Sequence, residues 1–334
     1  MHVRYGSAVV TGNVFVSNSG MYGSAYCVES SSAPVFCGNL VTEGHTNYVC
    51  YVSGSGHPVL QQNVIAGNNG TGLYIYWGAA DSELVVQGNV ISMNGCGNGI
   101  TCYPFGGRCV LASNTIYGNA GASPAGGIDC TSAYPVEVMV SDSILWGNKE
   151  PQISWGCPKG SMTVQYCDIQ GGRDGAYVRA DSQVGFHWRG NTIMSGNPLF
   201  ADPANGDYHL KSEHGRWSPA ANGGAGGWVI DDVTSPCIDA GDPASGYSLK
   251  PQPNGCRINM GAYGNTDEAS KSEWLRGDAS LDCRVDVLDL IVIRNLFMRD
   301  PASGVNWRGD VNEDGRINVL DLIYARNQMG TSRP

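Results

Sequence analysis

The chain has 334 residues, of which 47 are Gly, 42% are hydrophobic and only 15% are charged. That hydrophobic share excludes a disordered chain, and a formal charge of −10 excludes a basic nucleic-acid-binding surface. No uncharged apolar run reaches the ~18 residues of a membrane-spanning helix.

Met1-His2-Val3-Arg4 does not open a signal peptide, and a repeat begins almost at once, so a processed or truncated start is expected. The repeat is Asn, four residues, then Asn or Gly. It reads Asn13 to Asn18, Asn39 to Gly44, Asn63 to Asn68, Asn89 to Asn94 and Asn114 to Asn119, continues with Ser143 to Asn148, and fades at Asp168. Copies recur about every 25 residues and each carries two further short apolar strands, such as Ala25-Tyr26-Cys27 and Pro34-Val35-Phe36. Gly, Asn and Pro interrupt every apolar run within about six residues, too soon for helical repeats. Three strands per copy at ~3.3 Å per residue make a circuit of ~80 Å, one turn of a three-sided coil with its own side-chain core. Rungs are expected over residues 1–176. Asn13, Asn39, Asn63, Asn89 and Asn114 are expected to occupy left-handed corners and to bond amide to amide from turn to turn.

The chain holds 12 cysteines and no CxxC pair, so their spacing is not that of a zinc ribbon. Cys27 and Cys50, and likewise Cys102 and Cys130, fall at matching places on neighbouring turns. Stacked positions lie ~4.8 Å apart, within reach of a disulfide, but a reduced inward column packs equally well. Residues 177–270 are turn-rich and are expected to supply closing turns and a cap, with Cys237–Cys256 as a local bridge.

Residues 9–264 resemble the right-handed parallel β-helix proteins related in fold to pectate lyases. Asn197–Pro203, Asp207–Leu210, Ser235–Pro243 and Ile258–Gly264 resemble the run that closes many bacterial secreted members. The resemblance implies a mainly β solenoid in a secreted or cell-surface protein. It leaves activity open, because that group mixes lyases, hydrolases, epimerases and proteins without known chemistry.

Residues 277–330 hold a different duplication, with an offset of 32 residues between Asp278 and Asp310. Each copy places oxygen ligands at loop positions one, three, five, nine and twelve, and a backbone carbonyl at seven, which is the spacing of an EF-hand-type loop for a hard cation. One calcium would take Asp278, Ser280, Asp282, Arg284 (backbone), Asp286 and Asp289. The other would take Asp310, Asn312, Asp314, Arg316 (backbone), Asn318 and Asp321. Position six is Gly315 in the second copy but Cys283 in the first, so the first site is expected to be weaker or distorted. Residues 287–297 and 319–329 read as short helices. The pattern resembles a dockerin, which implies a cohesin-like partner. It places partner-reading positions at Val287, Leu288, Arg294 and Asn295, and at Val319, Leu320, Arg326 and Asn327. Apolar pairs stand where hydroxyl residues are common, so a different partner, another copy of the chain, or its own β-helix also fits.

No catalytic set is legible. Asp129, Glu137, Asp142 and Asp168, with Arg108 nearby, do not repeat cleanly; His45 and His57 read as solvated loop residues. Tyr74, Tyr76, Trp77, Tyr103 and Trp146 form a candidate sugar-stacking strip, and ordinary solenoid surface or stacked core fits them equally well. The expected function is an extracellular structural or assembly protein, self-assembling if its solenoid edge is uncovered. A polysaccharide lyase or glycoside hydrolase, and a carbohydrate-binding adhesin, are the alternatives.

Overall fold

In the first 194 residues, three short strands per turn stack on their counterparts one turn away, building three eight-stranded parallel sheets. The computed structural model describes residues 1–3, 6–20, 22–30, 33–121, 124–190 and 193–333, without the side chains of Ser30 and Ile193. The first sheet runs from His2–Val3 to Ala176–Val178, the second from Val9–Thr11 to Phe186–Trp188, and the third from Val14–Val16 to Ile193–Met194. Register places like over like: Phe15, Val41, Ile65, Ile91, Ile116, Leu145 and Ile169 form one inward column of the third sheet. Val10, Phe36, Leu60, Val86, Leu111, Val140 and Val164 form another in the second. These columns fill the bore as a continuous apolar core.

The asparagines make a hydrogen-bonded ladder. The side-chain Nδ2 of Asn13 donates to Oδ1 of Asn39 (3.1 Å), Asn39 to Asn63 (2.9 Å), Asn63 to Asn89 (2.9 Å) and Asn89 to Asn114 (3.1 Å). Each backbone N–H also donates to the Oδ1 one turn on, and each Nδ2 of Asn39, Asn63, Asn89 and Asn114 reaches an inner carbonyl, that of Val10, Phe36, Leu60 or Val86. Ser143 continues the column by accepting from the Asn114 N–H through its hydroxyl. A second ladder, Asn68, Asn94, Asn119 and Asn148, follows the same rule at 2.8–3.0 Å. The left-handed corner residue is not the asparagine, as expected, but the one before it. Gly12, Gly38, Gln62, Gly88 and Ser113 have φ between 52° and 65°. The corner turns at that residue and delivers the amide inward.

The cysteines sort differently from the expectation. Cys27 lies opposite Tyr51 and Cys50 opposite Tyr26, so alternation puts one outside and the other inside. Cys102 does lie opposite Cys130, and both are buried free thiols. Cys237 is a buried thiol that donates to Asp168 (3.1 Å), while Cys256 bridges Cys283 instead.

Residues 197–264 do not merely close the end of the coil. They fold back along the outer face of the third sheet, where Phe200, Tyr208, Leu210, Cys237, Met260 and Ala262 pack on Val90 and Ile144, with Val64, Tyr117 and Trp146 beside them. Asp142 fixes this contact by accepting from the Asp242 N–H (2.5 Å) and the Ser245 hydroxyl (2.8 Å). Within the cap, His209 stacks on Tyr263 and bonds Asp207 (2.6 Å) and Glu268 (3.3 Å). The fully buried ammonium of Lys250 pairs with Asp239 and bonds Asn259 (2.6 Å) and Ser272 (2.7 Å).

Asn89→Ala removes the acceptor of the Asn63 N–H and Nδ2 and the donor to the Leu60 carbonyl. With ~1–3 kcal/mol attached to each buried group left unpaired, urea unfolding is expected to show a loss of about 3 kcal/mol or more. A loss below ~1 kcal/mol would contradict the ladder.

Burial raises the Asp168 carboxyl to about 6. Burial lowers the His209 imidazole, but Asp207 and Glu268 outweigh it and leave the net shift upward. Both groups hold protons more tightly when folded, so both lose stabilisation as pH rises, Asp168 between its unfolded value near ~4 and about 6, and His209 above ~6.5. Melting with calcium saturating is therefore expected to fall between pH ~4 and about 6 through Asp168 and again above ~6.5 through His209. Asp168→Asn is expected to flatten the first of these falls; an unchanged slope there would contradict the assignment.

Candidate calcium loops and docking face

The two acidic loops fold alike and share the hydrogen bonds of positions one and twelve. In the first, Asp278 accepts from the N–H groups of Asp282 (3.1 Å) and Cys283 (2.9 Å); in the second, Asp310 accepts from Asp314 (3.0 Å) and Gly315 (2.9 Å). Asp289 accepts from Ser280 (2.8 Å) and Asp286 (2.7 Å), and Asp321 from Asn312 (3.3 Å) and Asn318 (2.8 Å). Position twelve is thereby also the third residue of the helix that follows. Asp286 and Asn318 cap the helices Val287–Asn295 and Val319–Asn327, and Asp289 and Asp321 complete the reciprocal capping boxes. Both helices end two residues short of the spans expected from the sequence. At position eight, Ile317 joins the module's small core with Ala279, Val311, Ile293 and Ala325, and Val285 is buried against Gly277.

Asp289 and Asp321 are fully buried, and Asp278 and Asp310 nearly so. Burial, with Asp289 and Asp282 adjacent, raises the Asp278 carboxyl above its ordinary value; burial, with Asp310 and Asp314 adjacent, raises that of Asp321. Among the described residues no Lys, Arg or His pairs with Asp278, Asp282, Asp286, Asp289, Asp310, Asp314 or Asp321. Buried like charges without a cationic side chain fit a hard divalent cation held by oxygens. Side-chain proximity alone points elsewhere: His2, Cys27 and Glu29 are the one described trio whose ligand atoms lie within 4.8 Å. His2 and Glu29 form an exposed ion pair there (2.9 Å). The loops form no such trio; two of the six ligands in the first set and three of the six in the second are hydroxyl, amide or backbone oxygen.

The helices present a paired apolar face. Val287, Leu288 and Ile291 on one, and Val319, Leu320 and Ile323 on the other, are each about half exposed. Between them lies a cleft of about 300 Å³ lined by Leu290, Ile291, Arg294, Leu322, Ile323 and Arg326. The β-helix does not cover this face, so docking onto the chain's own solenoid is not what the structure contains. Asn295 and Asn327 are the last residues of their helices.

The other candidate sites come apart. Asp142 and Asp168 lie under the cap, whereas Asp129 faces outward from the first sheet between Thr101 and Ser154. Arg108 and Glu137 sit on the second sheet, where Arg108 is paired with both Glu83 (2.8 Å) and Glu137 (3.2 Å). They border an open groove of about 590 Å³ that Phe105 and Lys159 also line. Trp77 is fully buried and Trp146 packs beneath the cap, so neither belongs to a surface strip. Tyr74 does stack outside, with ring centroids 5.5 Å from Tyr51 and 5.7 Å from Tyr103, joined by Tyr22 and Tyr48, and Tyr76 pairs with Phe105. Of the histidines, His45 opens the strand His45–Gly54 and His57 lies in the loop before Val59–Gln61, both exposed.

Residues 1–139 match the family described as right handed beta helix region, residues 171–241 the family described as Disaggregatase related, and residues 276–330 the dockerin type I domain. No curated protein and no solved structure matches the chain. The parallel coil is thus a right-handed β-helix and the C-terminal unit a dockerin type I region. No described helix is long and apolar enough to cross a membrane.

Asp321→Ala is expected to abolish the calcium response of the second loop. In chelator it is expected to cost about 1 kcal/mol through the lost capping box. Melting with and without calcium checks both, and undiminished calcium stabilisation would contradict the ligand assignment.

Proposed function

We propose that this chain is an extracellular assembly protein. A rigid β-helix carries a module that folds around two calcium ions and docks through its paired helical face onto a cohesin-like domain. The observation that carries the reading is the exposed apolar pair Val287-Leu288 and its repeat Val319-Leu320, each held at a helix start by a loop ready for a cation. Calcium would supply the positive charge that lets Asp278, Asp282 and Asp289, or Asp310, Asp314 and Asp321, stay ionised side by side. The loops would then fix the helix starts, and Arg294 and Arg326 would give the cleft a basic rim suited to an acidic edge on the partner. The Cys256–Cys283 bridge fits an oxidising, extracellular setting.

A second reading, glycan binding, draws on the outward row of Tyr22, Tyr48, Tyr51, Tyr74 and Tyr103. Its rings offer amphipathic surface without a surrounding catalytic set, so binding rather than cleavage is what they support.

Capture by a panel of immobilised cohesin domains is expected in calcium and not in chelator. The double variant Leu288→Asp with Leu320→Asp is expected to lose about 2 kcal/mol or more of binding, roughly 30-fold. Capture that ignores both calcium and the variant would contradict the docking face. A glycan array that retains the chain, and releases Tyr74→Ala, would favour the second reading.

A further inference from the structure

The two loops differ at one conformationally demanding position. Gly315 takes φ 82°, the left-handed region in which a β-carbon is strained. Cys283 takes φ 76° at the equivalent place, with the β-carbon present. Both residues nevertheless do the same work: the Cys283 N–H donates to Asp278 and the Gly315 N–H to Asp310, each at 2.9 Å. The conformation of Cys283 therefore sets where the position-one carboxylate points.

What differs is the support around it. The Cys283 sulfur is bonded to Cys256 of the cap, with the two Cα atoms 5.9 Å apart. Its carbonyl accepts from the Arg333 N–H (3.1 Å), and Arg333 reaches Asp239 (3.5 Å), the partner of buried Lys250. Val285 and Gly330 complete the strap: the Val285 N–H donates to Thr331 and the Gly330 N–H to Val285, each at 2.9 Å. Next to Cys256, Gly255 lies against Asp239, where a β-carbon would fall 1.9 Å from a carboxylate oxygen. The first loop is thus tied covalently to the cap's buried ion-pair network. Around the second loop the described ion pairing is the exposed Arg276–Glu313 contact (2.8 Å).

We infer that the Cys256–Cys283 bridge is a redox control on the first calcium loop alone, holding its left-handed turn in the ligating conformation and fixing the module to the β-helix. This rests on the calcium reading of the module given above. Reduction breaks the S–S bond and forms two S–H bonds. The two electrons and two protons come from a dithiol reductant, which closes to its own disulfide. Once released, Cys283 carries an unsupported left-handed β-carbon and Asp278 loses its fixed donor. The second loop, with Gly315, is indifferent.

The test is calcium titration of the full chain by calorimetry in four forms: oxidised, reduced with a dithiol, Cys256→Ser, and Cys283→Gly. Among the described residues this bridge is the one disulfide, and so the reductant's one disulfide target there. The oxidised chain is expected to show two sites. Reduction and Cys256→Ser are each expected to weaken one site about tenfold, on the scale of one unsupported left-handed residue, and to leave the other unchanged. Cys283→Gly, which removes the bridge but also the β-carbon, is expected to restore two full-affinity sites with or without reductant. Two sites insensitive to reduction would overturn this inference while leaving the docking reading intact. Cys283→Gly as weak as Cys256→Ser would overturn the left-handed turn as its basis. No calcium binding by the oxidised chain would overturn both readings together.

Discussion

Two of the three corners in each turn of this coil bury backbone polar groups against asparagine ladders, which satisfy them. A parallel solenoid turns its chain sharply three times per circuit, and those turns cannot all reach water. An amide side chain carries an acceptor and two donors, so one residue type serves the turn below, the turn above and the inner carbonyl at once. The left-handed residue just before each ladder position aims the amide inward. With that spacing fixed, one register holds throughout, and the apolar columns fall over one another without further instruction.

The rest of the molecule follows from having such a rod. Its third sheet is apolar on both faces along the middle turns, because the C-terminal segment returns over Val64, Val90 and Ile144. Two of the four carboxylates weighed in the sequence as catalytic candidates are spent on this contact: Asp142 holds residues 242 and 245, and Asp168 takes the Cys237 thiol. The cap in turn anchors the first acidic loop through Cys256 and Arg333. A line of dependence therefore runs from ladder to sheet, cap and C-terminal module.

Much of this was legible from residue patterns, for definite reasons. Period-25 asparagines and the duplicated Asp-rich loops are local signals, each repeated often enough to exclude chance. Helix starts at Val287 and Val319 follow from the apolar runs that begin there, and the structure adds the caps Asp286 and Asn318. Three features were not legible as read. Trp77 stays open in the sequence between surface strip and stacked core, although it shares the parity of buried Leu73 and Ile75 along its strand. The cap was expected at the end of the coil, although Val64, Val90 and Ile144 mark an outer face that needs covering. Cys283 stood out as the wrong residue for position six, but its partner, 27 residues earlier, is set only by how cap and module meet in space.

Native-state hydrogen exchange tests the ladder most directly, because each ladder N–H is bonded to the side chain one turn away. The backbone amides of Asn39, Asn63, Asn89, Asn68, Asn94 and Asn119 are expected to exchange only with global unfolding, as slowly as those of the core strands. Exchange of these amides at the rate of exposed loops such as 55–58 would show that the corners are not locked, and the stacking on which cap, loops and docking face depend would fail with them.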